Sequence, residues 1–211
     1  FATLFLAEIY GMTHRDDVRL KLQRSVDFIV KCQNEQGGWR YAAFAVESDM
    51  SIVVCQVLAL RAARNIGIRV PKSTIDKATQ YVVDSAVTGP VQPNRFTRYR
   101  SDLGTFHYQR DDNSRTTFPL TAAGVTALHG LGIYSNKLIE SGVEFLNRNM
   151  DPFNRRYGNS GHYFFWYGHY YGVQAFYTRG DPYWRPYFEE LRDVLLGMQR
   201  NDGSFPNSTG P

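Results

Sequence analysis

The chain has 211 residues, 43% apolar and 21% charged, with a formal net charge of +4. That size and balance suit one domain with a sizeable core and exclude a disordered or low-complexity chain. Its 24 Lys and Arg are scattered rather than clustered, which argues against a nucleic-acid partner, and no apolar run nears the ~20 residues of a membrane-spanning helix.

The elements read as helices in chain order. Residues 1–11 form the end of an apolar helix that begins at once with Phe1, so a single domain over 1–211 is expected with its N-terminal part missing. Val18, Leu22, Val26, Phe28, Ile29 and Cys32 mark an amphipathic helix over 15–32. Asp49 is placed to cap a second apolar helix that ends near Asn65–Gly67. Pro71 opens the next, amphipathic through Ile75, Ala78, Tyr81 and Val82. A loop follows from Thr88 to Arg115, long enough to suggest a function. Residues 117–131 form a small-residue apolar helix and 135–150 an amphipathic one, with a break expected at Asp151-Pro152. An aromatic helix spans 163–178, and a last helix spans 184–198.

Apolar and amphipathic helices alternate, and strand signals are poor. A helix apolar all round is buried, whereas an amphipathic one covers it from outside. The pattern predicts an all-α fold of four helix pairs in an inner and an outer layer. Cys32 and Cys55 fall within helices and read as small buried side chains, because two cysteines make no disulfide framework.

One phrase occurs twice, 166 positions apart: Gln33-x-x-x-Gly37-x-Trp39 and Gln199-x-x-x-Gly203-x-Phe205. Gly104-Thr105-Phe106-His107-Tyr108 is a weaker echo without the glutamine. Each Gln falls at a helix exit, where its amide can satisfy carbonyls left open by the helix end. The glycine permits a positive φ, and the aromatic ring can fold back on the helix. Physically the motif is a tie between helices.

These residues resemble the QW repeat of squalene and oxidosqualene cyclases, within the wider prenyltransferase and squalene-cyclase repeat superfamily. The resemblance implies an α/α toroid of inner and outer helices, here an incomplete ring. It also implies terpene cyclase-like or prenyltransferase-like chemistry on isoprenoids, whose hallmarks can be sought residue by residue. The Asp-x-Asp-Asp acid of the cyclases is missing; Glu47-Ser48-Asp49-Met50 stands where it would sit. Asp16-Asp17 and Asp111-Asp112 do not extend to the Asp-Asp-x-x-Asp that holds Mg²⁺. Asp49-Met50-Ser51 stands where the zinc-binding Asp-x-Cys would be, with Ser51 in place of the thiolate, so no metal or other cofactor is implied. Cys32 lacks the Cys-x-x-Gln spacing of a thioester, and no Gly-x-Ser-x-Gly marks a hydrolase.

The aromatic helix holds the remaining candidates, since seven of the nine residues from Tyr163 to Tyr171 are aromatic. At the mouth of an inner helix, His162, Trp166, Tyr167 and Tyr170 would form the wall of an aromatic cavity for an apolar or isoprenoid small molecule. Asp49 and His169 would be its catalytic carboxyl and imidazole. The alternative is a non-catalytic module of the same fold that binds a lipid, a peptide or a protein. An incomplete ring exposes apolar surface, so a homo-oligomer or a missing N-terminal segment is expected to cover it.

Overall fold

The computed structural model describes residues 1–89, 103–110 and 116–207. Eight α-helices lie among them: α1 (Ala2–Thr13), α2 (Asp16–Cys32), α3 (Met50–Asn65), α4 (Lys72–Asp84), α5 (Phe118–Gly130), α6 (Lys137–Tyr157), α7 (Tyr163–Arg179) and α8 (Trp184–Met198). The fold is all-α, and its one described β feature is an isolated antiparallel bridge between Ala86 and Phe106.

Odd-numbered helices pack in succession, α1 on α3, α3 on α5 and α5 on α7. The even-numbered ones flank them: α2 against α1 and α3, α4 against α3 and α5, α6 against α5 and α7, α8 against α7. The sequence explains the division. In α2, Leu22, Val26 and Ile29 recur every three or four residues and are buried, while the opposite face carries charge. In α5, every residue from Phe118 to His129 except Leu120 is buried. Its small residues let neighbours approach: a Cβ at Gly124 would run into the Phe106 ring.

Two expectations change. α6 continues through Asp151-Pro152 to Tyr157 instead of breaking there. The turn beyond the proline is held by packing, with Phe153 stacked on Phe118 at 4.3 Å and Asn154 buried against α7. Within the loop expected over Thr88–Arg115, residues 103–110 turn back on the segment just after α4, where Val87 N donates to Thr105 O at 2.8 Å and Gly104 N to Val87 O at 2.9 Å. The Asp111-Asp112 pair lies outside the described residues.

The repeated phrase builds one turn twice. At the exit of α2, Gln33 Nε2 donates to Gly37 O at 2.8 Å, Gly37 N to Asn34 O at 3.0 Å and Asn34 N to Gly38 O at 3.1 Å. At the exit of α8, Gln199 Nε2 donates to Gly203 O at 3.1 Å, Gly203 N to Arg200 O at 2.9 Å and Arg200 N to Ser204 O at 2.8 Å. The first copy alone reaches a second helix: Gln33 Nε2 also donates to Thr74 O, in the first turn of α4, at 2.9 Å. Both glycines have positive φ, 90° at Gly37 and 83° at Gly203. Around Gly203 there is open space, whereas a Cβ at Gly37 would meet the backbone carbonyl of Lys77. Gly203→Ala is therefore expected to cost about 1 kcal/mol, from backbone strain alone. Gly37→Ala should cost about 1–3 kcal/mol more, because α4 must shift. Urea unfolding of the two variants measures the difference, and equal losses would contradict the tie.

Candidate functional site

The aromatic helix α7 divides its rings among three faces. Phe165, Gly168, His169, Gly172 and Phe176 look toward α6 and α8: a Cβ at Gly168 would meet Phe153, and one at Gly172 the Tyr187 hydroxyl. Trp166, Tyr170 and Val173 line a groove of about 520 Å³ with Leu191 and Leu195 of α8 and with Phe1. Tyr171 turns its hydroxyl toward Cys55 of α3 and packs edge to face on Tyr167, and Tyr167, His169 and Tyr171 also border the groove. His162 is the N-cap of α7, its Nδ1 accepting from Phe164 N at 3.1 Å, and it packs on Tyr157 and Tyr163 rather than lining the groove.

His169 is committed to the first of these faces. Its Nδ1 lies 2.9 Å from Tyr187 Oη and its Nε2 lies 2.7 Å from Asn154 Oδ1. Asn154 Nδ2 donates to Glu190 Oε1 at 3.1 Å, which fixes the amide so that Oδ1 faces the imidazole. An amide oxygen only accepts, so the proton sits on Nε2 and Nδ1 accepts from the Tyr187 hydroxyl. Burial depresses the His169 pKa to about 3, which keeps the ring neutral. No hydrogen bond or ion pair connects His169 to Asp49, and the pair expected from the sequence is not brought together among the described contacts.

Asp49 instead gathers a different set. It is fully buried at the start of α3, where its Oδ1 accepts from Ile52 N at 3.0 Å as an N-cap and from Ser51 Oγ. Its Oδ2 makes no hydrogen bond, and Arg40 Nε stands 3.9 Å away, itself paired with Glu47. Tyr41 Oη is 3.3 Å from Ser51 Oγ. The serine's single proton goes to Asp49, so Tyr41 is the donor, giving a relay Tyr41→Ser51→Asp49. Met50 N, an open amide at the helix start, donates to Tyr108 O at 2.9 Å.

The same end of α3 meets α7 through Cys55, whose Sγ lies 3.2 Å from Ser51 O and 3.2 Å from Tyr171 Oη. With the thiol proton on the Ser51 carbonyl, the Tyr171 hydroxyl donates to sulfur. Tyr167 Oη is buried with no hydrogen bond. Burial, then the Asp49 charge, pushes Tyr108 up to about 12. Tyr167 and Tyr171 are raised too, by burial first and then by Cys55, and Asp49 adds to the shift at Tyr167. At neutral pH the cluster therefore offers phenol O–H groups, ring faces, one thiol and one carboxyl with a free oxygen. Among the described residues no group of three His, Cys, Asp or Glu side chains could hold a metal ion.

Arg40, Tyr41, Cys55, Tyr108 and Tyr171 escaped the sequence reading as site residues. The signal for two of them was present, because Trp39-Arg40-Tyr41 and Phe106-His107-Tyr108 are the same aromatic-x-Tyr step in the first phrase and in its weaker echo. The chain matches no family model, no curated protein and no solved structure in comparison with known proteins.

Proposed function

We propose that this is an α/α repeat protein, of the terpene cyclase and prenyltransferase type of architecture, that takes an isoprenoid or other apolar ligand at the α3–α7 tyrosine cluster. The alternation of successive odd helices and flanking even ones supports the toroidal reading. The observation that carries the function is Asp49: a fully buried carboxyl whose Oδ2 makes no hydrogen bond and has Arg40 Nε 3.9 Å away, at the end of α3 that Tyr108 and Ser51 adjoin. A buried carboxylate oxygen held only by a distant guanidinium keeps hydrogen-bonding capacity that a ligand can complete. Tyr41, Tyr108, Tyr167 and Tyr171 supply the ring faces for an apolar chain, and Asp49 the one acceptor for a ligand hydroxyl or for positive charge.

Isothermal titration with farnesol tests the reading. Saturable binding in the micromolar range is expected, about −8 kcal/mol, and Tyr167→Ala should weaken it at least tenfold. Absence of saturable heat up to the solubility limit would contradict it. Incubation with squalene and with prenyl diphosphates, followed by product analysis, reads catalysis separately.

A specific observation favours a second reading, a module that docks an apolar helix. The Gln199 turn is half tied and stands next to the α7–α8 groove.

A further inference from the structure

We propose that Arg40 decides which ligand head the Asp49 site takes, a neutral alcohol in preference to a cation, and that Glu47 holds Arg40 at the distance this requires. The proposal rests on the reading of Asp49 as a ligand acceptor and deepens it by naming the head group.

The place of Arg40 follows from the turn at the exit of α2. Trp39 is buried, and its carbonyl accepts from Asp49 N at 3.1 Å. That bond closes residues 39–49 into an Ω-type loop, so the residue after Trp39 stands beside the residue that opens α3. Glu47 is fixed in the neck of the same loop, its carbonyl accepting from Asn34 Nδ2 at 2.9 Å. One guanidinium is thereby presented to two carboxylates. Arg40 Nη1 pairs with Glu47 Oε2, and Arg40 Nε faces Asp49 Oδ2 at 3.9 Å.

The two carboxylates are unlike. The Glu47 side chain is 64% exposed, whereas that of Asp49 is wholly buried. The direct bond to Glu47 holds the guanidinium back from Asp49. At 3.9 Å, Nε is too distant to hydrogen-bond Oδ2, yet close enough for its charge to act. Arg40 therefore offsets the buried charge and leaves the lone pairs of Oδ2 open. Oδ1 is already used by Ile52 N and Ser51 Oγ, so Oδ2 is the acceptor that remains. A ligand hydroxyl donates there without adding charge. An ammonium in the same place sets a second cation against Arg40 in a site shielded from water, where like charges repel strongly. A head with no donor gains nothing from Oδ2. Among the described residues Arg40 is the one cation in ion-pair range of Asp49, so the preference depends on this side chain.

Calorimetric titration of the full chain with farnesol, farnesyl methyl ether and farnesylamine, a cation at about pH 7, tests this through the head group alone. Farnesol should bind at least tenfold tighter than either of the others. Arg40→Gln removes the opposing charge, and farnesylamine should then become the tightest of the three. Glu47→Gln alters an exposed side chain and frees the guanidinium to close on Oδ2, so farnesol should weaken about tenfold. Adding Arg40→Gln to that variant should restore farnesol, which a merely structural role for Glu47 does not predict. Should Arg40→Gln lose helicity by circular dichroism, Glu47→Gln alone carries the test. Equal affinities for alcohol and ether, amine tighter than alcohol in the unmodified chain, an unchanged order in Arg40→Gln or unchanged farnesol affinity in Glu47→Gln each overturn the proposal while leaving an apolar ligand site in place. If none of the three probes binds, the ligand reading itself falls, and this proposal with it.

Discussion

Trp39→Ala is expected to destabilise the protein by about 3–5 kcal/mol, the range for removing a large buried aromatic side chain. Trp39 is 2% exposed, and its Nε1 donates to Ile29 O at 2.8 Å, in the last turn of α2. The indole closes the space between the end of α2 and the start of α3, where Asp49 N donates to Trp39 O at 3.1 Å. Its loss opens a cavity and leaves a carbonyl of the helix end without its partner. Phe205→Ala makes the internal comparison. Phe205 holds the same place in the second turn, is 40% exposed and meets Trp166 edge to face at 5.7 Å. Its truncation should cost about 0.5–1.5 kcal/mol, the worth of one aromatic contact. Denaturant midpoints with unchanged slopes would report both values. Similar losses would mean that the two turns do the same structural work.

Acid should weaken the fold through two histidines. Burial sets His169 at about 3, and burial, then Arg179, sets His129 at about 4, both below the ordinary value of 6.5. The unfolded chain therefore takes up these protons near pH 6.5, while the folded chain resists until the lower values. Between those limits the unfolded state binds more protons, so stability falls as the pH falls. Each histidine contributes about 1.4 kcal/mol per pH unit, which makes roughly 3 kcal/mol from His169 alone by about pH 4. A proton added at Nδ1 of His169 removes the acceptor for the Tyr187 hydroxyl, and α7 and α8 lose a buried link. Unfolding free energies from about pH 7 to 4 give the slope. His169→Gln should flatten it, and an unchanged slope in that variant would place the acid sensitivity elsewhere.

Much of the fold was legible because its signals are local. Asp49 before Met50 is a cap that the sequence announces, and its side chain accepts the expected amide, from Ile52 at 3.0 Å. Pro152 misled for the converse reason: its local effect is helix-breaking, and the packing of Phe153 and Asn154 on neighbouring helices outweighs it. The site was legible only in part. Asp49 was found by its place at a helix start. His169 was grouped with it because both belong to apolar helices, but seven residues on a helix do not reveal which of three neighbours an imidazole meets. Tyr41, Tyr108 and Cys55 come from three segments that only the packing of turns onto α3 brings together.

Asp49→Asn tests most directly whether that convergence is a binding site or a structural cap. Asparagine caps helices as well as aspartate, and its Oδ1 can still accept from Ile52 N and Ser51 Oγ. Removing a buried, half-paired carboxyl costs little in stability, so unfolding free energy should stay within about 1 kcal/mol of the original. Farnesol affinity measured on the same samples should fall at least tenfold. A variant that loses several kcal/mol while binding farnesol unchanged would assign Asp49 to the cap and its contact with Arg40, and would contradict the site.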